Sequence, residues 1–157
     1  MQRAGGSLAI TNKPATRRLT PMDINLPDVL AEVQAVFATY EDALVNNRID
    51  VLDALFWPSP HTVRYGVAEN LHGIEAIRAF RAARPAHGLA RRLANTVITT
   101  YGRDLATAMT TFQRDGTPKI GRQSQTWARL PQGWQVVAAH VSLIDPPTPP
   151  AAAEVPR

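Results

Sequence analysis

Cysteine is absent from the 157-residue chain, which excludes disulfide bonds, thiol nucleophiles and thiolate metal sites. Also absent are a glycine-rich phosphate loop, a His-Glu-x-x-His helix and a Gly-x-Ser-x-Gly elbow, and the four histidines lack metal-ligand spacing. No apolar run is long enough to span a bilayer. We therefore expect no metal, no cofactor and no membrane association, which is consistent with a cytoplasmic enzyme or binding protein.

Acidic residues are missing from the N-terminus, and this explains a sequence pI near 10.1. Four basic and no acidic residues precede Met22, whereas residues 22–143 carry twelve basic and eleven acidic residues. A nucleic-acid surface needs basic residues concentrated on one folded face, so we predict no nucleic-acid partner. Residues 1–21 lack periodicity and residues 144–157 are rich in Pro and Ala. We predict disordered extensions there, around a single domain over residues 22–143.

The spacing of apolar residues changes from helical to alternating along the domain. Pro27 suits the first turn of a helix in which Tyr40 belongs to the buried stripe. From residue 91 an alternating pattern with glycine turns predicts an antiparallel meander. Helices followed by a sheet indicate an α+β domain, in which long twisted strands wrap around the first helix. The predicted helices are 27–45, 50–56 and 74–83, and the predicted strands are 62–65, 69–72, 91–101, 105–112, 119–130 and 134–143.

Polar residues follow one another without interruption in the strand that spans residues 119–130. An ordinary half-buried strand alternates polar with apolar residues, so at least one face of this strand must line something polar. The predicted faces are Gln123, Gln125 and Trp127 on one side, and Arg122, Ser124 and Thr126 on the other.

The last predicted strand carries a histidine at its centre. Strict alternation places His140 and Ser142 on one face with Trp134, Val136 and Ala138. His140 either lines a pocket or is a core histidine that a cross-strand hydroxyl satisfies, since buried polar side chains are normally hydrogen-bonded. Both interpretations remain open.

Two further side chains combine an apolar setting with a polar group. The Tyr40 hydroxyl would project into the concave sheet, where it could donate a proton or orient a substrate, or simply end a core side chain. Arg64 lies in a strand and needs a carboxylate, either from a ligand or from Glu69 or Glu41. Trp57 could roof a cavity or close the end of the second helix.

Three arginines recur at every third position along the third predicted helix and just after it. Such a series is more often a solvated helix face than a binding site. We therefore predict a solvated face or a dimer contact for Arg78, Arg81 and Arg84.

Several segments are distinctive enough for comparison with known families: Val-Arg-Tyr-Gly at 63–66, Glu-Asn-Leu at 69–71, and the segments 79–85, 95–104, 121–127 and 133–142. They resemble the AtzH-like and HpxZ-like proteins, of the SnoaL-like branch of the nuclear transport factor 2-like superfamily. The resemblance covers residues 22–143. It implies a cone-shaped barrel, with N-terminal helices packed in a highly curved, mostly antiparallel sheet, and a homodimer formed through that sheet.

The resemblance also implies an activity. AtzH-like proteins are decarboxylating amidohydrolases of cyanuric-acid breakdown that convert 1,3-dicarboxyurea to allophanate, and HpxZ-like proteins are associated with oxalurate and ureide catabolism. The active-site pair falls on Tyr40 and Arg64, and we add His140 as a second candidate proton donor. The alternative is a non-catalytic dimeric ligand-binding or accessory protein associated with an amidase. The predicted substrate-binding residues are Trp57, Asn70, Arg122, Gln123, Ser124, Gln125 and Ser142.

Overall fold

The structure, a computed structural model, describes residues 21–148. Every helix and strand lies within two residues of its predicted bounds, and Ile144 belongs to the last strand instead of the predicted tail. Of the other residues of the predicted disordered extensions, residue 21 and residues 145–148 have no regular secondary structure. Residues 1–20 and 149–157 lie outside the described residues. No helix between residues 21 and 148 is long and apolar enough to cross a membrane. The elements are α1 (Pro27–Val45), α2 (Ile49–Ala54), β1 (Val63–Tyr65), β2 (Asn70–His72), α3 (Ile74–Ala83), β3 (Arg92–Tyr101), β4 (Leu105–Gln113), β5 (Ile120–Leu130) and β6 (Gly133–Ile144).

Helix α1 supplies the apolar stripe that packs on the sheet. Pro27 has the φ angle of a first helical turn, and the carboxylate of Asp28 complements the positive end of the helix dipole. The helix ends before Asn47, whose φ of 50° is left-handed. A fully buried Val, Leu or Phe side chain contributes about 1.5–3 kcal/mol of hydrophobic free energy. The buried stripe is Val29, Val33, Phe37, Tyr40, Ala43 and Leu44.

The six strands form one sheet in the order β2-β1-β6-β5-β4-β3. The predicted meander of the last four strands is confirmed, because β3, β4, β5 and β6 pair antiparallel in sequence order. Strand β1 is the exception and lies parallel to β6, with Arg64 opposite Ala139. Strands β2 and β3 are the sheet edges among the described residues, so the sheet is curved but open, and α1 packs against one face of it.

A β-bulge interrupts the pairing of β5 with β6. Thr126 pairs with Ala138, but the next residue, Trp127, pairs with Val136, so that Val137 has no partner in register. Side chains alternate along a strand, and one inserted residue therefore moves all the following side chains to the opposite face. The bulge decides which side chains of β6 point at the helices.

Helix α2 ends at Ala54, two residues before the predicted end. Phe56 instead forms a parallel β-bridge with Val136. Pro58 explains this early end, because the residue before a proline favours an extended backbone. The backbone N–H of Trp57 then donates to the carbonyl oxygen of Val136 at 3.1 Å. This bridge holds the end of α2 against the sheet.

Candidate active site

A cavity of about 40 Å³ lies between the helices and the face of the sheet that they cover. Its polar lining consists of one phenol, one amide and five guanidinium groups, and Leu44, Leu52 and Val141 complete it. We call it the inner cavity. The polar residues that line it are Tyr40, Arg64, Arg81, Arg84, Arg91, Arg114 and Gln123.

Tyr40 reaches the inner cavity from α1 and is only 5% exposed. Three aromatic side chains position its ring: the ring centres of Phe37 and Phe56 lie 6.5 and 6.4 Å away, and Trp127 meets it edge-on at 6.3 Å. These contacts leave the ring little freedom to move. A buried phenol hydroxyl requires a hydrogen-bond partner, and a ligand in the inner cavity could be that partner.

Arg64 reaches the inner cavity from β1. Its Nη1 donates to Glu69 Oε1 at 2.5 Å, which confirms one of the two predicted protein partners. Its guanidinium carbon also lies 5.2 Å from the centre of the Phe80 ring. The structure therefore brings Arg64 and Tyr40 to one cavity, as the sequence suggested.

Arg81 is buried, and the prediction that it lies on a solvated helix face is wrong. Arg81 is only 3% exposed. Its guanidinium carbon lies 4.1 Å from the centre of the Phe56 ring, and its Nη1 donates to Asp53 Oδ1 at 2.6 Å. Burial lowers the pKa of Arg81, and the hydrogen bond to Asp53 opposes that shift. Helix α3 packs this side chain against α2, so the polar face of α3 is only partly solvated.

Arg91 and Arg114 enter the inner cavity from the open end of the β3–β4 hairpin. Arg92 pairs with Gln113, so that Arg91 and Arg114, the next residues outward, lie side by side. Their guanidinium carbons are 4.5 and 5.4 Å from the centre of the Phe112 ring. The Arg91 side chain is 2% exposed and pairs with Glu41, a carboxylate that α1 carries beside Tyr40.

Gln123 lines the inner cavity from β5, on the face that the sequence predicted. It is 3% exposed, and its Oε1 accepts a hydrogen bond from Arg91 Nη2 at 3.0 Å. Its Nε2 donates to Glu41 Oε1 at 3.5 Å. Gln123 thus completes a network with Arg91 and Glu41, and this network orients the arginine toward the cavity.

Arg84 and Arg114 differ from the other three arginines. Arg64, Arg81 and Arg91 each pair with a carboxylate, whereas no carboxylate between residues 21 and 148 pairs with Arg84 or Arg114. The Nε atoms of Arg84 and Arg114 are buried and have no hydrogen-bond partner within the described part of the chain. Burial lowers the pKa of Arg84, as does the charge of Arg81; burial and the charge of Arg91 likewise lower the pKa of Arg114.

The charges of the inner cavity therefore do not balance. Five guanidinium groups face three carboxylates that pair with them, and this leaves the half-buried guanidinium groups of Arg84 and Arg114 without a balancing charge among the described residues. Uncompensated buried charge is costly unless an opposite charge enters. The arrangement favours a small anion with two negative charges, and Tyr40 offers a proton donor beside it. No group of three or more His, Asp or Glu side chains in the described part of the chain is placed to hold a metal ion.

Four of the predicted site residues lie away from the inner cavity. They line a separate groove of about 350 Å³ on the outer face of the sheet, where Arg122 Nε donates to Ser142 Oγ at 3.2 Å. The bulge at Val137 explains the placement of His140, because it turns His140 outward while Trp134 and Val136 stay buried. The prediction that these three share one face is wrong. The predicted residues on the outer face are Arg122, Ser124, His140 and Ser142.

The remaining predicted residues also lie outside the lining of the inner cavity. Trp57 stacks on His61, with ring centres 6.2 Å apart, and Asn70 is exposed on the β1–β2 hairpin opposite Tyr65. Gln125 is buried and accepts a hydrogen bond from the indole Nε1 of Trp127 at 3.2 Å. Of the predicted set, Tyr40, Arg64 and Gln123 line the inner cavity.

Four arginines of the inner cavity were not predicted as site residues. Arg91 and Arg114 are separated by a whole hairpin, and only the strand register brings them together. Arg81 and Arg84 were considered, but helical periodicity places them on a polar face and does not show that α2 covers it. The absence of acidic residues between Glu75 and Asp104, the segment that holds Arg81, Arg84 and Arg91, was a feature of the sequence that could have indicated the site.

The fold and the inner cavity together define a class: an α+β protein of the nuclear transport factor 2-like fold, in which helices cover a curved sheet and both line a central cavity. A protein of that fold from Pseudomonas putida is 18% identical, with a TM-score of 0.60 over 73% of this chain and 86% of that chain. Within this class, residues 22–147 match the AtzH-like family, and the chain belongs to that family.

Two similar solved structures are much closer in sequence. A protein of unknown function from Pectobacterium atrosepticum, of the DUF3225 family, is 62% identical over 78% of this chain and 96% of that chain, with a TM-score of 0.78. A cystatin-like fold protein from Burkholderia xenovorans is 56% identical over 80% of this chain and 99% of that chain, also with a TM-score of 0.78. No curated protein matches the chain.

Proposed function

We propose that the protein is a decarboxylating amidohydrolase that removes a carboxyl group from a small N-carboxylated ureide, such as 1,3-dicarboxyurea. One observation carries the proposal: Arg84 and Arg114, two half-buried arginines with no carboxylate partner among residues 21–148, line the same cavity as the Tyr40 phenol. Membership of the AtzH-like family supports it. A dicarboxylated urea carries two negative charges, which would balance the excess positive charge of the inner cavity.

In the proposed reaction Arg64 and its neighbours hold the substrate carboxylates, and Tyr40 donates its phenolic proton to the ureide nitrogen. The bond between that nitrogen and the departing carboxylate carbon breaks, its electron pair stays on nitrogen, and carbon dioxide leaves. Water then returns a proton to the Tyr40 oxygen, and the hydroxide that remains combines with the carbon dioxide to give bicarbonate. The product from 1,3-dicarboxyurea is allophanate. An N-carboxylated urea is intrinsically labile, so positioning and charge neutralisation supply most of the acceleration.

The test is the release of carbon dioxide and bicarbonate from freshly prepared 1,3-dicarboxyurea by the purified protein. We expect release well above the rate in buffer, and a loss of at least about 100-fold in kcat for Tyr40→Phe, because a general acid typically contributes 10²–10⁴-fold. Tyr40→Phe keeps the ring that packs on Phe37, Phe56 and Trp127, so its thermal stability should stay close to that of the wild type. Tyr101→Phe on β3, away from the cavity, is the matched control.

A wild-type rate equal to the rate in buffer would overturn the proposed substrate. If 1,3-dicarboxyurea or a stable analogue still bound, a ligand-binding or accessory role beside an amidase would be favoured. Co-purification of this protein with an amidase would support that role further. An active Tyr40→Phe variant would instead be compatible with the proposed activity and would show that Tyr40 is not the proton donor.

A further inference from the structure

The inner cavity adjoins a second, wider cavity of about 290 Å³. Both cavities are lined by Arg64, Arg84, Arg114 and Val141, so these four residues form the boundary between them. Three of the four are arginines. Tyr40, Arg81 and Arg91 line the inner cavity alone, whereas residues that follow α3, including Pro85 and His87, line the wider one.

The three boundary arginines are engaged to different degrees. Arg64 is held by Glu69, whose other carboxylate oxygen accepts a hydrogen bond from the backbone N–H of Ala68 at 3.2 Å. The acidic side chain that lines the wider cavity is therefore already bound. Arg84 has one long contact, from its Nη2 to Asn47 Oδ1 at 3.4 Å, and Arg114 rests on the Phe112 ring.

Part of each guanidinium of Arg84 and Arg114 has no partner. The Nε atom of each is buried and makes no hydrogen bond within residues 21–148. A guanidinium presents its N–H groups as a planar fork that matches a carboxylate. A carboxylate at the boundary would supply the missing acceptors and the missing negative charge together.

We propose that Arg84 and Arg114 form a carboxylate-binding subsite at the boundary between the two cavities, and that this subsite makes the protein select dicarboxylates over monocarboxylates. One carboxylate of the ligand lies in the inner cavity beside Tyr40, and the other lies at Arg84 and Arg114. The inference deepens the proposed function and rests on it for the reaction, while the binding preference can be measured without any turnover.

The test uses glutarate, whose chain has the same number of atoms as that of 1,3-dicarboxyurea, and valerate, in which a methyl group replaces one carboxylate. Isothermal titration of the full-length protein should show glutarate binding at least about tenfold more tightly than valerate, as expected for one additional charge-assisted contact. Arg84→Gln and Arg114→Gln should each reduce that preference to about threefold or less. Arg78→Gln, the same change at an exposed position of α3, should keep the full preference.

A thermal melt keeps the proposal testable if one variant binds too weakly to titrate. Glutarate should raise the melting temperature of the wild type and of Arg78→Gln, and raise it less for Arg84→Gln and Arg114→Gln, because a ligand stabilises only the state that binds it. Equal wild-type affinities for glutarate and valerate, or an unchanged preference in both Arg84→Gln and Arg114→Gln, would overturn the inference. Failure to turn over 1,3-dicarboxyurea would overturn the proposed reaction alone, since the glutarate preference is measured independently of it.

Discussion

The backbone of Gly121 on β5 lies against the ring of Phe112 on β4, its cross-strand partner. A Cβ atom at position 121 would lie 2.1 Å from the ring carbon Cζ of Phe112. The same ring carries the guanidinium groups of Arg91 and Arg114. Because residue 121 is a glycine, the Phe112 ring can occupy the position at which Arg91 and Arg114 stack on it.

Gly121→Ala should lower the free energy of unfolding by about 1–3 kcal/mol, since the buried Phe112 ring must move to admit the methyl group. It should also weaken anion binding, because Arg91 and Arg114 would lose their support. Urea unfolding and glutarate titration measure the two effects. Ser124→Ala, on the outer face of the same strand, is the control and should change stability by less than about 0.5 kcal/mol. Phe112→Leu in the Gly121→Ala background should recover part of the stability, and a Gly121→Ala protein as stable as the wild type would contradict the close packing.

Glu41→Gln should leave the Arg91 guanidinium buried without a charge partner. The Arg91 and Glu41 side chains are 2% and 14% exposed, and removing one member of a buried pair typically costs about 3 kcal/mol or more. Urea unfolding of the ligand-free protein measures this loss. Glu75→Gln breaks the exposed pair with Arg78 and should cost less than about 1 kcal/mol. Equal losses in the two variants would mean that Arg91 finds water or another partner when Glu41 is gone.

The sequence predicted the order and bounds of the elements because those features depend on local patterns. Pro27 and the α1 stripe define the first helix, and the faces of Gln123 and Gln125 follow from alternation within one uninterrupted strand. The candidate pair of Tyr40 and Arg64 came from the family resemblance, and the structure brings both to one cavity.

The sequence failed where tertiary pairing decides the outcome. The bulge at Val137 arises from the register of β6 against β5, and no residue type in β6 marks it. Arg91 and Arg114 meet only because two strands end together, and Arg81 is buried only because α2 covers its side of α3. The sequence therefore did not locate the charge imbalance of the inner cavity, although three of the five arginines lie in a stretch without acidic residues.

His140→Ala tests whether His140 takes part in the reaction, since the bulge places it on the outer face of the sheet. His140 is exposed on the outer face and does not line the inner cavity, so kcat/KM for 1,3-dicarboxyurea should change by less than about twofold. Loss of a general acid would instead cost roughly 100-fold or more. A decrease of that size in the kcat/KM of His140→Ala, at unchanged thermal stability, would show that His140 takes part in the reaction and would contradict its placement outside the site.

The acid sensitivity of the fold should depend in part on Glu32 of α1. Its Oε2 accepts a hydrogen bond from the Trp134 indole Nε1 at 2.9 Å and lies 2.7 Å from Arg129 Nη1. These contacts, the indole bond first, lower the pKa of Glu32 from its ordinary value of 4.5. Because the pKa is depressed in the folded state, the stabilisation is present above pH 4.5 and is lost as the pH falls through the folded-state pKa.

Glu32→Gln should therefore be less stable than the wild type near neutral pH, and the difference should narrow as the pH falls below about 4.5. Urea midpoints of the two proteins at a series of pH values measure that difference. Trp134→Phe removes the donor that contributes most to the shift, so replacing Glu32 in the Trp134→Phe background should have a smaller pH-dependent effect. Stability curves of Glu32→Gln and the wild type that stay parallel from neutral to acid pH would show that the carboxylate gains nothing from the indole on folding.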